Sequence, residues 1–226
     1  MQITISKNGP YLVSGSIPLF LGKIETDANG ASLNLKEIKS IEAPESYALC
    51  RCGHSANKPF CDGSHMKVGF EGDTTAPHTT HAQQSKCYSG PSVSFYDAEE
   101  LCVTARFCDR GLNAWTYTQK SDDPKNKEEA VREACLCPSG RLVICDEKGD
   151  PLETNYEPSI MVLEDPSRKM SSAYFVRGGI PVVDEAGNAY EARNRQMICR
   201  CGGSRNKPFC DATHYQLGFV DGIADS

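Results

Sequence analysis

Two stretches of this chain carry the same soft metal donors at the same spacing. Cys50, Cys52, Cys61 and His65 read C-x-C-x8-C-x3-H, and Cys199, Cys201, Cys210 and His214 repeat it. Thiolate and imidazole are ligands of zinc and iron, and three cysteines per copy cannot pair off internally as disulfides. The last two donors are four residues apart, so on a helix they share one face. Asp62 and Asp211 follow the third cysteine, where a carboxylate can satisfy the free N–H groups of that helix. A C-x-C pair belongs to an extended or turn segment with both sulfurs directed to one metal, and Pro59 and Pro208 stiffen the return to the third cysteine. Four ligands in two pairs suit a two-iron, two-sulfide cluster, one pair per iron. A zinc site of three cysteines and one histidine uses the same ligand types, although zinc sites usually space paired cysteines two to four apart.

The elements that must position these donors repeat with them. Cys50 to Phe70 and Cys199 to Phe219 are identical at 14 of 21 positions. Upstream, Tyr11-Leu12-Val13-Ser14-Gly15-Ser16-Ile17-Pro18 echoes Tyr174-Phe175-Val176-Arg177-Gly178-Gly179-Ile180-Pro181, with 14 extra residues between echo and cysteines in the first copy. Each unit therefore reads as a short apolar strand ending in Gly-x-Ile-Pro, a connection, and the cysteine segment. Tyr47-Ala48-Leu49 and Gln196-Met197-Ile198 predict strands that deliver the chain to Cys50 and Cys199.

The region between the copies differs. Residues 71–92 are rich in Thr, His, Gln, Ser, Gly and Pro and read as a linker, with His78 and His81 exposed in it. Asp97 followed by Glu99 and Glu100 predicts a helix to about Cys108, and Asp123-Pro124 opens a second helix through Ala134. Residues 141–146 read as a strand. The resulting plan has a first unit over 1–72, a linker over 73–95, a small helical insert over 96–150 and a second unit over 151–226.

Composition narrows the class. The chain has 226 residues, 12 cysteines, five histidines and a formal charge of −6, with a pI near 5.4. That acidity gives no general attraction to phosphate backbones, so nucleic acid is not an expected partner. No apolar run approaches the roughly 20 residues of a membrane span. The stretch from Gly9 to Gly22 is broken by two prolines and lacks the features of a signal peptide. A cytoplasmic protein is expected, in which cysteines serve metal or redox chemistry rather than disulfides.

The first copy resembles the CDGSH (NEET-type) iron–sulfur family at every specified position from Cys50 to His65. The second departs once, with Ala212 for glycine in Cys210-Asp211-Ala212-Thr213-His214. The resemblance implies a 2Fe–2S cluster in each copy, held by three cysteines and one solvent-near histidine. It also implies an α+β fold in which two small β-rich units form an intramolecular pseudo-dimer, so that a monomer suffices. One imidazole in place of a thiolate leaves the oxidised site less negative than a four-thiolate site, which raises its reduction potential as in Rieske centres. Such a histidine can also take a proton. Lys58 and Lys207, with Arg51 and Arg200, are candidates for balancing the charge of the reduced clusters. His54 faces Gly203 in the repeat and is not expected to be a ligand.

Six cysteines remain. Cys102 and Cys108 with Cys137-Pro138-Ser139-Gly140 resemble the divergent mono-cluster ferredoxin domain, which implies a ferredoxin-like insert and a third cluster. Three ligands suit 3Fe–4S, and Cys135 would supply a fourth for 4Fe–4S. The alternative is buried small hydrophobes in a relict fold. Residues six apart on a regular helix point about 240° apart, so a helix through both would separate Cys102 from Cys108. Cys87 and Cys145 have no assigned role.

The expected function is electron transfer or cluster transfer to an unidentified redox partner or cluster acceptor, without a substrate pocket and without catalytic residues. A redox enzyme reducing a small acceptor or disulfide is the alternative. No Rossmann, Walker or nucleophile motif supports it.

Overall fold

The computed structural model describes residues 1–223. Its two larger sheets have matching strand orders. The first consists of β1 (Gln2–Ile5), β2 (Tyr11–Ser14), β5 (Ser46–Leu49) and β11 (Val182–Val183), in the order β11-β1-β2-β5. The second consists of β3 (Leu19–Thr26), β4 (Ser32–Ile41), β9 (Ser159–Asp165), β10 (Met170–Arg177) and β12 (Arg195–Ile198), in the order β12-β10-β9-β3-β4. The repeat explains the match. Tyr11 pairs with Leu49 in one sheet and Tyr174 with Ile198 in the other, at the same register.

Each sheet also contains a strand from the other copy. After Ile17-Pro18 the chain crosses over, so β3 runs parallel to β9 with Leu19 opposite Ile160. After Ile180-Pro181 it crosses back, so β11 runs parallel to β1 with Val182 opposite Ile3. The prolines suit these crossings because they end the antiparallel ladder. The extra residues of the first copy form much of the β3–β4 hairpin, which extends the second sheet alone. One core joins both sheets and includes Ile3, Tyr11, Leu49, Ile160, Tyr174 and Ile198.

The sheets differ in their outer faces. β2 alternates buried and exposed residues, as a strand with one wet face should. β9 is buried along its whole length, because Met161, Leu163, Phe175 and Met197 pack on a second core with Val103, Ala105 and Phe107 of the insert. The insert has its own sheet, β6 (Lys86–Ser89), β7 (Ser94–Asp97) and β8 (Leu142–Cys145), covered by α3 (Ala114–Gln119) and α4 (Pro124–Leu136). Asp123 caps α4 and Pro124 opens it, as the sequence predicts. Short helices α1 (Ser64–Lys67) and α5 (Thr213–Gln216) follow the third cysteines, and α2 (His81–Gln84) lies before the insert. No helix among the described residues is long and apolar enough to cross a membrane.

Two expectations fail. The segment from Asp97 to Cys108 is not a helix: only Glu99–Leu101 forms a single 3-10 turn. Beyond it Thr104 and Arg106 adopt positive φ, which breaks any helix. Residues 71–92 are also more than a loose linker. Lys86–Ser89 is a strand, His78 stacks on Tyr190 at 4.0 Å and bonds Asp184, and half-buried His81 lies 2.9 Å from the Arg141 carbonyl.

Glu133 on α4 is fully buried, and neither carboxyl oxygen has a hydrogen-bond partner. Burial pushes its pKa up to about 8 from an ordinary 4.5 despite Arg132 nearby. Below pH 4.5 folded and unfolded chains are both protonated and the group costs nothing. As pH rises from there to about 8 the unfolded chain loses the proton and the folded one keeps it, so stability falls. Glu133→Gln is expected to flatten this slope and stabilise the protein by on the order of 2 kcal/mol at pH 8, read by denaturant unfolding across that range.

Candidate metal centres

β5 and β12 each end directly at a first cysteine, and a tight hairpin then returns the third. Cys50 N–H donates to the Pro59 carbonyl at 2.8 Å and Cys61 N–H to that of Ala48 at 2.8 Å. The second copy reproduces both bonds, from Cys199 to Pro208 and from Cys210 to Met197. The C-x-C sulfurs lie 3.8 Å apart in the first set and 3.9 Å in the second. Cys61 Sγ lies 3.4 Å from His65 Nδ1, and Cys210 Sγ lies 3.3 Å from His214 Nδ1. Among the described residues no three or more His, Cys, Asp or Glu side chains close around one metal ion. The donors of each set come as two close pairs.

The third cysteine is not on the helix. Cys61 precedes α1 by a turn in which Gly63 has φ +85°, and Cys210 precedes α5 by a turn in which Ala212 has φ +67°. Asp62 braces the turn by accepting from the N–H groups of Ser64 at 2.9 Å and Ala56 at 2.8 Å. Asp211 does the same with Thr213 and Arg205. These bonds hold both carboxyls below the usual range.

The residues proposed to balance cluster charge have other partners. Lys58 donates to the Ser55 carbonyl and Lys207 to that of Ser204, each at 2.6 Å, so both ammonium groups close the cysteine hairpins. Arg51 and Arg200 are buried beneath the C-x-C segments at 1% exposure. Arg51 donates only to carbonyls, those of Gly9, Gly72 and Ser6. Arg200 instead pairs with Glu164 and Asp221. His54 is exposed.

The two sets lie back to back. Tyr11 donates to the carbonyls of Cys199 and Pro208, while Tyr174 sits within the same reach of those of Cys50 and Pro59. A Cβ on Gly53 would come within 2.7 Å of the Cys201 carbonyl oxygen, and one on Gly202 equally close to that of Cys52. Only glycine permits this approach, and both have positive φ.

The histidines differ. His65 is half-buried, whereas His214 is 1% exposed and its Nε2 has no hydrogen-bond partner. The solvent-near histidine expected in each copy is thus found in the first only. Burial, with Arg200 nearby, pushes His214 down to about 4, which keeps the ring neutral as a metal ligand requires.

Cys102, Cys108 and Cys137 all line one cavity of about 250 Å³. The helical obstacle to their meeting is absent because residues 102–108 are irregular. Burial and the neighbouring Cys137 push the Cys108 thiol up to about 12. Cys135 faces elsewhere: its thiol donates to the Leu152 carbonyl at 3.1 Å, and it lines a different cavity with Leu33 and Arg110. Cys87 is exposed on β6 and Cys145 buried on β8.

Several arginines that hold this region carry no sequence signature. Arg195 of β12 donates to the carbonyls of Ala134 at 2.5 Å and Cys137 at 2.7 Å, and pairs with Glu153. Arg193 reaches the Ser139 carbonyl at 2.9 Å. Arg141 grips Asp97 with two bonds of 2.6 and 2.8 Å. The only cue was arginine following the second repeat's strand echo, which has no counterpart in the first.

Paired thiolate and imidazole donors on two like hairpins, beside a three-cysteine cavity, define a metal protein of the iron–sulfur class. The family model described as iron-binding zinc finger CDGSH type matches residues 8–66 and 172–215. That described as divergent 4Fe-4S mono-cluster matches residues 88–147. The chain therefore carries two CDGSH-type segments with a divergent 4Fe–4S mono-cluster domain between them. No curated protein and no solved structure matches it.

Ala212 occupies a backbone conformation that costs a side chain roughly 1–2 kcal/mol and costs glycine little. Ala212→Gly is therefore expected to stabilise the protein by about 1 kcal/mol, whereas Gly63→Ala should destabilise it by a similar amount. Paired denaturation curves of the two variants check this.

Proposed function

We propose that the chain binds two 2Fe–2S clusters, one through Cys50, Cys52, Cys61 and His65 and one through Cys199, Cys201, Cys210 and His214. A third centre, 3Fe–4S or 4Fe–4S, is held by Cys102, Cys108 and Cys137. The two CDGSH halves form an intramolecular pseudo-dimer, and the protein acts in electron transfer with a separate redox partner. When bound, clusters of this kind supply one-electron chemistry at potentials set by ligand charge and burial.

The observation that carries this reading is the pairing of donors. Each set offers two close pairs, as two irons require, and a zinc ion would instead draw all four donors to one point. The protein's own groups fit the cofactor. The hairpin bonds fix the C-x-C sulfurs before any metal arrives, and buried His214 is neutral with its Nδ1 beside Cys210. The reciprocal tyrosine bonds and exchanged strands support the pseudo-dimer. Electron transfer is favoured over cluster donation because the three donor sets lie in series. The 102–108 segment lines the middle cavity on one side and packs with Cys210 in a shared apolar core on the other.

Iron and sulfide analysis with EPR on anaerobically purified protein tests the assignment. About seven or eight irons per chain are expected, and about four would leave the middle cavity without a cluster. Cys108→Ala should remove the middle iron alone, and Cys135→Ala should leave the count unchanged. His65→Cys with His214→Cys should lower the CDGSH midpoint by roughly 100–300 mV; an unchanged potential would refute histidine ligation.

A further inference from the structure

The two CDGSH sites are alike in sequence but differ in what covers the histidine end. In the first copy α1 carries no buried residue, and Met66, beside His65, is 75% exposed. In the second copy the equivalent position is Tyr215, whose ring lies 4.3 Å from that of His214. The Tyr215 hydroxyl donates to Asp165 at 2.7 Å. Arg106 grips the same carboxylate with bonds of 2.8 and 3.2 Å, and reaches the Tyr215 oxygen at 3.1 Å.

Arg106 can do this because of where its backbone runs. Thr104 and Arg106 both have positive φ, so residues 102–108 zigzag with Val103, Ala105 and Phe107 turned into the core beside Cys210. Ser32 of the β3–β4 hairpin donates to the Ala105 carbonyl at 2.8 Å and pins the segment from its other side. Buried Asp165 accepts from three side chains, those of Arg106, Tyr215 and Ser167. The first copy has no such segment.

We propose that residues 102–108, locked by Arg106, form a fixed lid over the Cys210–His214 end of the second site, so that the first site is the one whose iron is open to exchange with solution or an acceptor. Arg106 is the positioning residue, acting through Asp165 and Tyr215. The imidazole is the one neutral donor of each set, so it is the ligand that water or a chelator displaces first. Water reaches His65 and is kept from His214. Cys201 is half-exposed where Cys52 is buried, so the second site does have an opening, at its cysteine end. The proposal therefore places the labile step at the histidine.

This inference rests on the reading that both sets hold iron, and a protein purified without iron would defeat that reading rather than the lid. The experiment follows iron release from the air-oxidised, intact protein to a large excess of a chromogenic ferric-iron chelator at constant pH. The expected release from the CDGSH sites is biphasic, with equal amplitudes and rates at least tenfold apart. His65→Cys should slow the fast phase, while His214→Cys should leave it unchanged, which assigns that phase to the first site. Arg106→Ala should speed the slow phase by severalfold without changing the fast one. Arg106→Lys keeps the charge but not the fork, and is expected to fall between. Tyr215→Met, which copies the first site, provides a second route to the same acceleration should Arg106→Ala fail to fold. A single phase in the wild type, or a slow phase that neither Arg106→Ala nor Tyr215→Met moves, would overturn the proposal.

Discussion

The structure depends on two tyrosine hydroxyls. Each is buried, and each lies against two backbone carbonyls of the opposite ligand hairpin. A hairpin that directs its sulfurs outward to a metal leaves the carbonyls on its inner side in need of donors, and a buried carbonyl without one is costly. Tyr11 and Tyr174 meet that need across the repeat, with their rings packed edge to face at 6.3 Å. Neither hairpin is complete alone, since the donor for each comes from the other copy. The exchanged strands β3 and β11 follow the same logic, placing each copy's crossing strand in its neighbour's sheet. Both copies lie in one chain, so this exchange of strands is intramolecular.

The insert breaks that symmetry sterically, and the two halves also differ electrostatically in their own residues. Arg51 and Arg200 occupy equivalent positions, but Arg51 is satisfied by carbonyls and the rings of Tyr11 and Phe70. Arg200 is paired with two carboxylates, of which Glu164 is pushed up by burial. A buried cation without a contacting carboxylate favours added negative charge nearby, and one enclosed by two carboxylates does not. Arg51 thus keeps a charge that no carboxylate contacts, whereas the charge of Arg200 is offset by direct pairing. The second sheet, packed on both faces, also gives the second site a drier setting than the first.

The repeat made the ligand hairpins legible because local chemistry decides them: C-x-C, the proline return and the aspartate that braces the turn are all neighbours in sequence. The strand echoes at Tyr11 and Tyr174 were legible for the same reason. The 102–108 segment was not. Asp97, Glu99 and Glu100 form a helix start, yet the chain leaves that turn at Cys102 because Val103, Ala105 and Phe107 gain more by packing on the second sheet. Tertiary burial overrode local propensity. Lys58 and Lys207 stand out in the repeat as cations beside cysteines, but the sequence does not announce that each also closes its hairpin on a carbonyl three residues back. The buried roles of Arg106, Arg193 and Arg195 arise from partners far away in sequence, so no spacing rule announces them.

Those arginines bear on whether the middle cavity can be regarded as a separate module. The turn carrying Cys137 has its carbonyls held from outside the insert, by Arg195 and Arg193 of the second CDGSH half. Arg195 is the first residue of β12, the strand that ends at Cys199. One short strand thus fixes a thiol of the middle set through its side chain at one end and a thiol of the second set through its backbone at the other. Gly140 tightens the joint, since a Cβ there would come within 2.5 Å of the Arg195 carbonyl oxygen. The two cysteine sets therefore share one short strand as a common support. The turn that carries Cys137 is therefore held by the second CDGSH half, against which residues 103–107 of the insert also pack.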